Sequence, residues 1–420
     1  MIAIQPAKIT KQTISVPGSK SYTHRMLIAA ALSGGLCTLA NCLRSQDTLL
    51  TLNALRQFGI PIEADKEPII VHGHSGRLKP SSEPIRLENS GTSMRLLTAV
   101  AALGTGTYLL TGSRRMQERP IQDLLDGLSQ IGISVRAIHE NGCPPVEIAG
   151  GRIAGGRTVI NCEKSSQFLS GLLLVAPYTE KGLIIDVSHG PVSKPYVDMT
   201  VEVMEKFGVA LSRDGYRQFK VGGGQIYRSG TYEVEADASQ AGYFWAAAAV
   251  TGGDIRVPGV SRWSKQGDVR LVDLLEKMGC GVFHEADGIR VVGGPLKGID
   301  ADMGDMPDMV PTLAVTAAFA KGTTVIGNVA HLAEKESDRL AAVSTELKKM
   351  GIEVKRCGTG LSITGGAPRG ASIHTYNDHR IAMSFAVAGL RVPGIVIEEE
   401  HCVEKSFPEF WEVFQKLYDR

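Results

Sequence analysis

One pattern recurs five times along this chain: a helix-spaced apolar stripe, a glycine, then a pair of alternating strands. The copies read LLTLNALRQFGIPIEADKEPIIVHG, IQDLLDGLSQIGISVRAIHENGCPPVEIAG, VDMTVEVMEKFGVALSRDGYRQFKVGG, VRLVDLLEKMGCGVFHEADGIRVVGG and LAAVSTELKKMGIEVKRCGTGLSITGG. Their glycines are Gly59, Gly132, Gly208, Gly279 and Gly351, and successive subtraction gives spacings of 73, 76, 71 and 72. Repetition on this scale constrains the fold more than any other feature, because each unit must bury its apolar face against its neighbours. Each glycine stands where a helix should stop in left-handed backbone, and the residues after it alternate with period two.

A second helix, richer in small residues, precedes each copy: THRMLIAAAL, TSMRLLTAVAAL, QFLSGLLLVAP, QAGYFWAAAAV, MVPTLAVTAAFA and HRIAMSFAVAGL. These number six. The sixth unit runs on through FPEFWEVFQKLY without its glycine and strand pair, whereas residues 1–17 are strand-like with no helix before them. The N-terminus is therefore expected to close the sixth unit. A chain of 420 residues is too long for one core. Two domains of three units follow: residues 21–235, and a discontinuous domain of 1–20 with 236–420. Crossings near Lys20 and Ala236 would make a hinge.

Composition excludes several classes. Lys and Arg number 45 against 44 Asp and Glu, a net charge of +1 that argues against a general nucleic-acid or membrane-surface binder. The seven cysteines include no Cys-x-x-Cys pair, and their odd count reads as reduced thiols in a cytoplasm. No window holds eighteen uncharged apolar residues, and the N-terminus shows no signal or transit segment. No metal is expected, since His72 and His74 lack further ligands at the right spacing. Nothing demands more than a monomer.

Chemistry collects where the small-residue helices begin: GSKS (18–21), NSGTS (89–93), KSSQ (164–167), DASQ (237–240), MPDM (306–309) and YNDHR (376–380). Ser, Asn and Asp suit helix caps, but caps need no cation. Lys20 with Arg25, Lys164 and Arg380 instead place positive charge at or just after helix starts, where it opposes the macrodipole unless an anion binds. Charged loops SRRMQERP, SHGPVSKPY, AEKESDR and EEEHCVEKSFP fall at matching positions of the repeat. Lys20, Arg25, Arg119, Arg339, Arg380 and Lys405 are therefore expected to face one cleft and a polyanionic small molecule, or two anionic ones. No phosphate loop, dinucleotide fingerprint or nucleophile elbow is present, so no cofactor is expected.

The ordered motifs PGSKSYTHR, NSGTSMRLL, MQERPI, SSQFLSGLLL, VSKPYVD, KESDR, NDHRIAMS and KSFPEF together resemble the 3-phosphoshikimate 1-carboxyvinyltransferase (EPSP synthase) family over nearly the whole chain. The resemblance implies an α/β fold, the two-domain inverse α/β barrel, with six βαβαββ repeats, three per domain. It implies transfer of the enolpyruvyl group of phosphoenolpyruvate to the 5-hydroxyl of shikimate 3-phosphate, with release of phosphate. By motif, Lys20 would contact both substrates. Ser21, Arg25, Ser165, Ser166, Gln167, Ser193 and Tyr196 would hold shikimate 3-phosphate, with Asp308 and Lys335 on its hydroxyls. Gly91, Arg119, Arg339, Arg380 and Lys405 would enclose phosphoenolpyruvate, and Gln167 would reach it too. Asp308 is the leading base, and Glu336 would carry protons to and from the methylene carbon. Gly91 is expected to be kept for the close approach of phosphoenolpyruvate, or of the family's inhibitor glyphosate.

Four positions depart from the family's usual pattern: Thr23-His24, Gln240, Ala333 and Glu404, the last placing an acid beside Lys405. Two other readings compete. UDP-N-acetylglucosamine enolpyruvyl transferases share the fold and donor, but place a reactive Cys where this chain has SRRMQERPI. A non-catalytic anion-binding protein of this fold would keep caps and glycines, without needing Lys20, Asp308 and Glu336 together.

Overall fold

A computed structural model describes residues 1–418. The chain is mixed α/β and divides into two compact units, Gly18–Val234 and Met1–Pro17 with Glu235–Arg420. Each unit has its own apolar core and three small sheets.

The six small-residue helices are Lys20–Leu32, Gly91–Ala101, Gln167–Val175, Ala238–Thr251, Val310–Ala317 and His379–Gly389. They are buried almost all round, as apolar residues on every face require. In the first, Tyr22 to Leu32 are all buried. In the fourth, Trp245 is fully buried and donates its Nε1–H to the Ile289 carbonyl at 3.3 Å; truncation to Ala there would cost about 3–5 kcal/mol. The amphipathic helices cover the sheets, and the five punctuating glycines after them have φ between +80° and +114°. Only glycine takes that backbone without strain, so the repeat is punctuated where the chain must reverse.

Four units share one path: a short strand, a buried helix, then a strand parallel to the first. Ile85–Arg86, Gly156–Asn161, Asp300–Asp302 and Ser372–Ile373 open them, and each pairs in parallel with the strand after its own helix. The first and fourth units exchange these opening strands. Lys11–Thr13 precedes the helix Lys20–Leu32 but pairs with Asp254–Pro258, whereas Gly230–Glu233 precedes Ala238–Thr251 but pairs with Leu36–Ala40. The exchange corrects the expectation for residues 1–17. Only Ile2–Ile4 joins the sixth sheet, antiparallel to Ile395–Ile397, and that sheet has three strands among the described residues, where the others have four.

Candidate functional site

In the unit Gly18–Val234, side chains from three buried helices and the loops before them form a polar cluster. Lys20 opens the first helix after the cap Ser19, and its Nζ lies 3.2 Å from Oδ2 of Asp47. Asp47 is buried in the first turn of the helix Gln46–Gln57. One turn after Lys20, Arg25 is 1 % exposed. Its Nε donates to Thr200 Oγ1 (2.7 Å), Nη1 to the Ser21 carbonyl (2.9 Å) and Nη2 to the Tyr196 carbonyl (3.0 Å). No carboxylate pairs with it among the described residues, and burial lowers its pKa to about 10. A guanidinium dried by burial and held only by neutral oxygens is prepared for an anion.

Ser165, Ser166 and Ser193 lie in the loops before the helices Gln167–Val175 and Pro195–Lys206, the second of which carries Tyr196 and Thr200. Ser165 Oγ accepts from the Gln167 backbone N–H (3.2 Å), and Ser166 is buried at the helix start. Ser193 has φ +53°, an uncommon left-handed conformation for a residue with a side chain, and its buried Oγ has no hydrogen-bond partner. Gln167 Oε1 accepts from Arg95 Nη1 (2.9 Å), and its Nε2 donates to Thr92 Oγ1 (2.9 Å). Arg119 is buried with Nη1 on the carbonyl and Oδ1 of Asn89, at 3.0 and 3.1 Å. A Cβ on Gly91 would lie 2.5 Å from Arg119 Nη2 and 2.9 Å from Arg95 Nη1. The space of the missing methyl is thus taken by guanidiniums of the chain itself, where sequence reasoning expected the approach of a ligand. Gly91 does not require positive φ.

The other unit carries interlocked charges. Arg339, 1 % exposed, places Nη1 2.7 Å from Asp308 Oδ1, Nη2 3.0 Å from Glu336 Oε2 and Nε 2.9 Å from Asp378 Oδ2. Arg380 places Nη2 3.0 Å from Asp308 Oδ2 and donates from Nη1 to the Tyr243 hydroxyl at 3.0 Å. Burial alone would raise the Asp308 carboxyl, but Arg380, Arg339 and Lys335 hold it well below the usual carboxylate range. Burial lowers the Arg339 pKa, yet Asp378, Glu336 and Asp308 together carry it above the ordinary value. Nearby, burial and Lys335 push His331 down to about 4, while burial and Asp308 push Asp268 up to about 7. Lys405 ends the short helix Glu400–Lys405 and is 9 % exposed; the next carbonyl, of Ser406, accepts from Gln240 Nε2 at 3.0 Å.

The macrodipole argument needs one correction. Lys20 and Arg380 have carboxylates of the chain itself beside them, and Lys164 is exposed. Arg25 alone of these cations keeps the character expected of an anion site. Sequence reasoning also passed over Asp47, Arg95, Thr200, Tyr243, His331 and Asp378. Arg95 and Tyr243 were visible as polar residues inside otherwise apolar helices, a signal that the capping argument overlooked. The departures from the family pattern are absorbed locally: Thr23 Oγ1 donates to the Ser19 carbonyl (2.8 Å), and His24 Nδ1 lies 2.8 Å from Thr51 Oγ1. Among the described residues no three His, Cys, Asp or Glu side chains could hold a metal ion, and no helix is long and apolar enough to cross a membrane.

Comparison with known proteins agrees with this chemistry. The family model for EPSP synthase (3-phosphoshikimate 1-carboxyvinyltransferase) matches residues 4–414. A 3-phosphoshikimate 1-carboxyvinyltransferase of Syntrophobacter fumaroxidans is 44% identical over 99% of both chains, and one of Methanoculleus marisnigri is 45% identical over 94% of both. Among solved structures, EPSP synthase from Acinetobacter baumannii superposes with a TM-score of 0.84 at 30% identity, covering 99% of this chain and 97% of the other. The enolpyruvyl transferase NikO from Streptomyces tendae reaches 0.78 at 21% identity, covering 99% and 96%, which shows a shared fold.

Proposed function

The chain belongs to the EPSP synthase (3-phosphoshikimate 1-carboxyvinyltransferase) family, and we propose that it moves the enolpyruvyl group of phosphoenolpyruvate to the 5-hydroxyl of shikimate 3-phosphate. The unit Gly18–Val234 takes shikimate 3-phosphate. Arg25, Ser165, Ser166 and Ser193 hold its phosphate and ring oxygens, with Ser21, Lys20 and Tyr196 beside them. The other unit, residues 1–17 and 235–420, supplies the acid–base groups and most of the phosphoenolpyruvate site. Arg339, Arg380 and Lys405 bind its anionic groups; in Gly18–Val234, Lys20, Gly91, Arg119 and Gln167 are assigned to phosphoenolpyruvate by their family motifs.

The single observation that carries this reading is Asp308 bound by Arg339 and Arg380, with Glu336 on the same Arg339. Two guanidiniums that grip a carboxylate in the free chain can grip the carboxylate of phosphoenolpyruvate instead. Asp308 would then lose the charges that hold its pKa down, and become a better base when substrate arrives. In the addition step, Glu336 delivers a proton to the methylene carbon, the 5-hydroxyl oxygen bonds to the second carbon, and its proton leaves to Asp308, assisted by Lys335. In the elimination, the new methyl group returns a proton to Glu336, the carbon–oxygen bond to phosphate breaks, and the phosphate leaves with its charge met by the cations and takes up the proton held by Asp308. The working unit is a monomer in the cytoplasm. The odd count of seven cysteines, with no Cys-x-x-Cys pair, suits a reducing compartment.

The test is phosphate release from phosphoenolpyruvate with and without shikimate 3-phosphate. Release only with both, together with a product heavier than shikimate 3-phosphate by the enolpyruvyl group, is expected. Release that ignores shikimate 3-phosphate would overturn the reading.

A further inference from the structure

The turn that delivers Asp378 to Arg339 is built against the preferences of its backbone. Tyr376 and Asn377 are consecutive residues with φ of +56° and +52°, a region that side-chain-bearing residues rarely enter and Tyr even less readily than Asn. Such backbone persists only where surrounding bonds over-determine it, and it gathers at functional sites.

Those bonds come from two buried carboxylates. Glu346, fully buried in the helix Arg339–Lys349, accepts from the Tyr376 hydroxyl (2.8 Å), the His374 backbone N–H (3.1 Å) and Lys349 Nζ (2.7 Å). Burial and the bond to Glu346 push the Tyr376 hydroxyl up to about 12, which keeps it a donor. At the far end, Asp378 accepts from Arg339 Nε, Ser337 Oγ and the Arg380 backbone N–H, each at 2.9 Å. Arg339 and Glu346 belong to one helix. Helix, Glu346, Tyr376, the left-handed turn, Asp378 and Arg339 therefore form a closed ring of covalent and hydrogen-bonded links. The chemistry proposed above makes no use of Glu346 or Tyr376.

We propose that Glu346 and Tyr376 are positioning residues that hold the left-handed turn under tension, so that Asp378 aims Arg339 at phosphoenolpyruvate. This rests on the assignment of Arg339 to phosphoenolpyruvate. A merely structural ion pair between Glu346 and Lys349 would account for the burial of the carboxylate, but not for a strained turn on its other oxygen.

Tyr376→Phe removes one bond of the ring and keeps the ring's packing. Its KM for phosphoenolpyruvate should rise about three- to tenfold, and that for shikimate 3-phosphate should stay within about twofold. Its melting temperature should remain near that of the parent. Glu346→Gln, which keeps an acceptor for Tyr376, should recover most of what Glu346→Ala loses. An unchanged KM for phosphoenolpyruvate in Tyr376→Phe, or parallel rises in both KM values, overturns the proposal. A second readout needs no turnover: with ¹⁵N-labelled arginine, the Arg339 Nε–H resonance should shift or broaden in Tyr376→Phe. If it does not move, the ring carries no tension to Arg339. Absence of phosphate release by the parent chain would instead overturn the reaction reading and leave this resonance test standing.

Discussion

The two units solve the problem of an anionic ligand in opposite ways. In Gly18–Val234, Arg25 is buried on neutral oxygens, Ser193 offers an unbonded hydroxyl, and charge is left for the ligand to balance. In the other unit, Arg339 already touches three carboxylates and Arg380 shares one of them. The first arrangement suits a group that is bound and left chemically alone. The second stores carboxylates beside cations, and under the proposed reaction those partners would change as substrate enters, which suits a site that moves protons.

The sharpest way to break this contrast is to compare turnover. Glu336→Gln and Asp308→Asn keep shape while removing proton transfer, and should lower kcat by about 10²–10⁴-fold with much smaller changes in either KM. Ser193→Ala should act mainly on the KM for shikimate 3-phosphate. If Ser193→Ala costs as much kcat as Glu336→Gln, binding and proton transfer are not divided between the units as described.

Stability should separate the two buried arginines next. Arg339→Met takes the guanidinium away from the fully buried Asp378, and from Asp308 and Glu336, and should cost about 3–5 kcal/mol in urea unfolding. Arg25→Met strands no carboxylate, and the Tyr196 carbonyl still accepts from Thr200 Oγ1 at 2.8 Å. Its cost should stay within about 1 kcal/mol, because relief of desolvation offsets lost hydrogen bonds. Equal losses for the two variants would remove the distinction.

A smaller effect should appear in the pH dependence of stability. His331, pushed down to about 4, binds fewer protons in the folded chain than in the unfolded one, so it destabilises the fold as pH falls from about 6.5 toward 4. Asp268, pushed up to about 7, keeps a proton that the unfolded chain has lost, so it destabilises the fold as pH rises from about 4 toward 7. The two slopes oppose each other over nearly the same window. Asp268→Asn removes only the second, so the variant should gain stability relative to the parent at pH 7 and lose it more steeply on acidification. Parallel urea midpoints for variant and parent from pH 4 to 7 would contradict these assignments.

Gly91→Ala is the mildest test. Its methyl would press on Arg119 and Arg95 guanidinium groups rather than on backbone, so stability should change by no more than about 1 kcal/mol. The KM for phosphoenolpyruvate should rise by about two- to tenfold, and glyphosate inhibition should weaken with it. A destabilised protein with unchanged inhibition would sink that account.

Much of this was legible in the sequence because repetition and local chemistry leave marks on residue order. The positive φ of Gly59, Gly132, Gly208, Gly279 and Gly351, and the burial of the six small-residue helices, follow from pattern alone. What stayed hidden depends on pairing across long separations. Nothing local in Lys11–Thr13 says that its partner is Asp254–Pro258 rather than its own unit's strand. Nor could helix starts reveal that Asp47 and Asp308 neutralise Lys20 and Arg380, since those carboxylates arrive from elsewhere in the chain. Asp378 was seen as a cap, which it is, and its grip on Arg339 needed coordinates.

The exchange of opening strands also sets a timetable for a chain made from its N-terminus. Lys11–Thr13 emerges early, yet the start of its partner, Asp254, follows Thr13 by 254 − 13 = 241 residues. At roughly 5–20 residues per second that strand waits on the order of 10–50 s without its ladder. Ile2–Ile4 waits longer still, for Ile395–Ile397. Meanwhile every strand of the three sheets in Gly18–Val234, including the borrowed Gly230–Glu233, has already been synthesised. The unit Gly18–Val234 can therefore finish first, from contiguous chain. The other unit closes last, around two short strands made long before their partners.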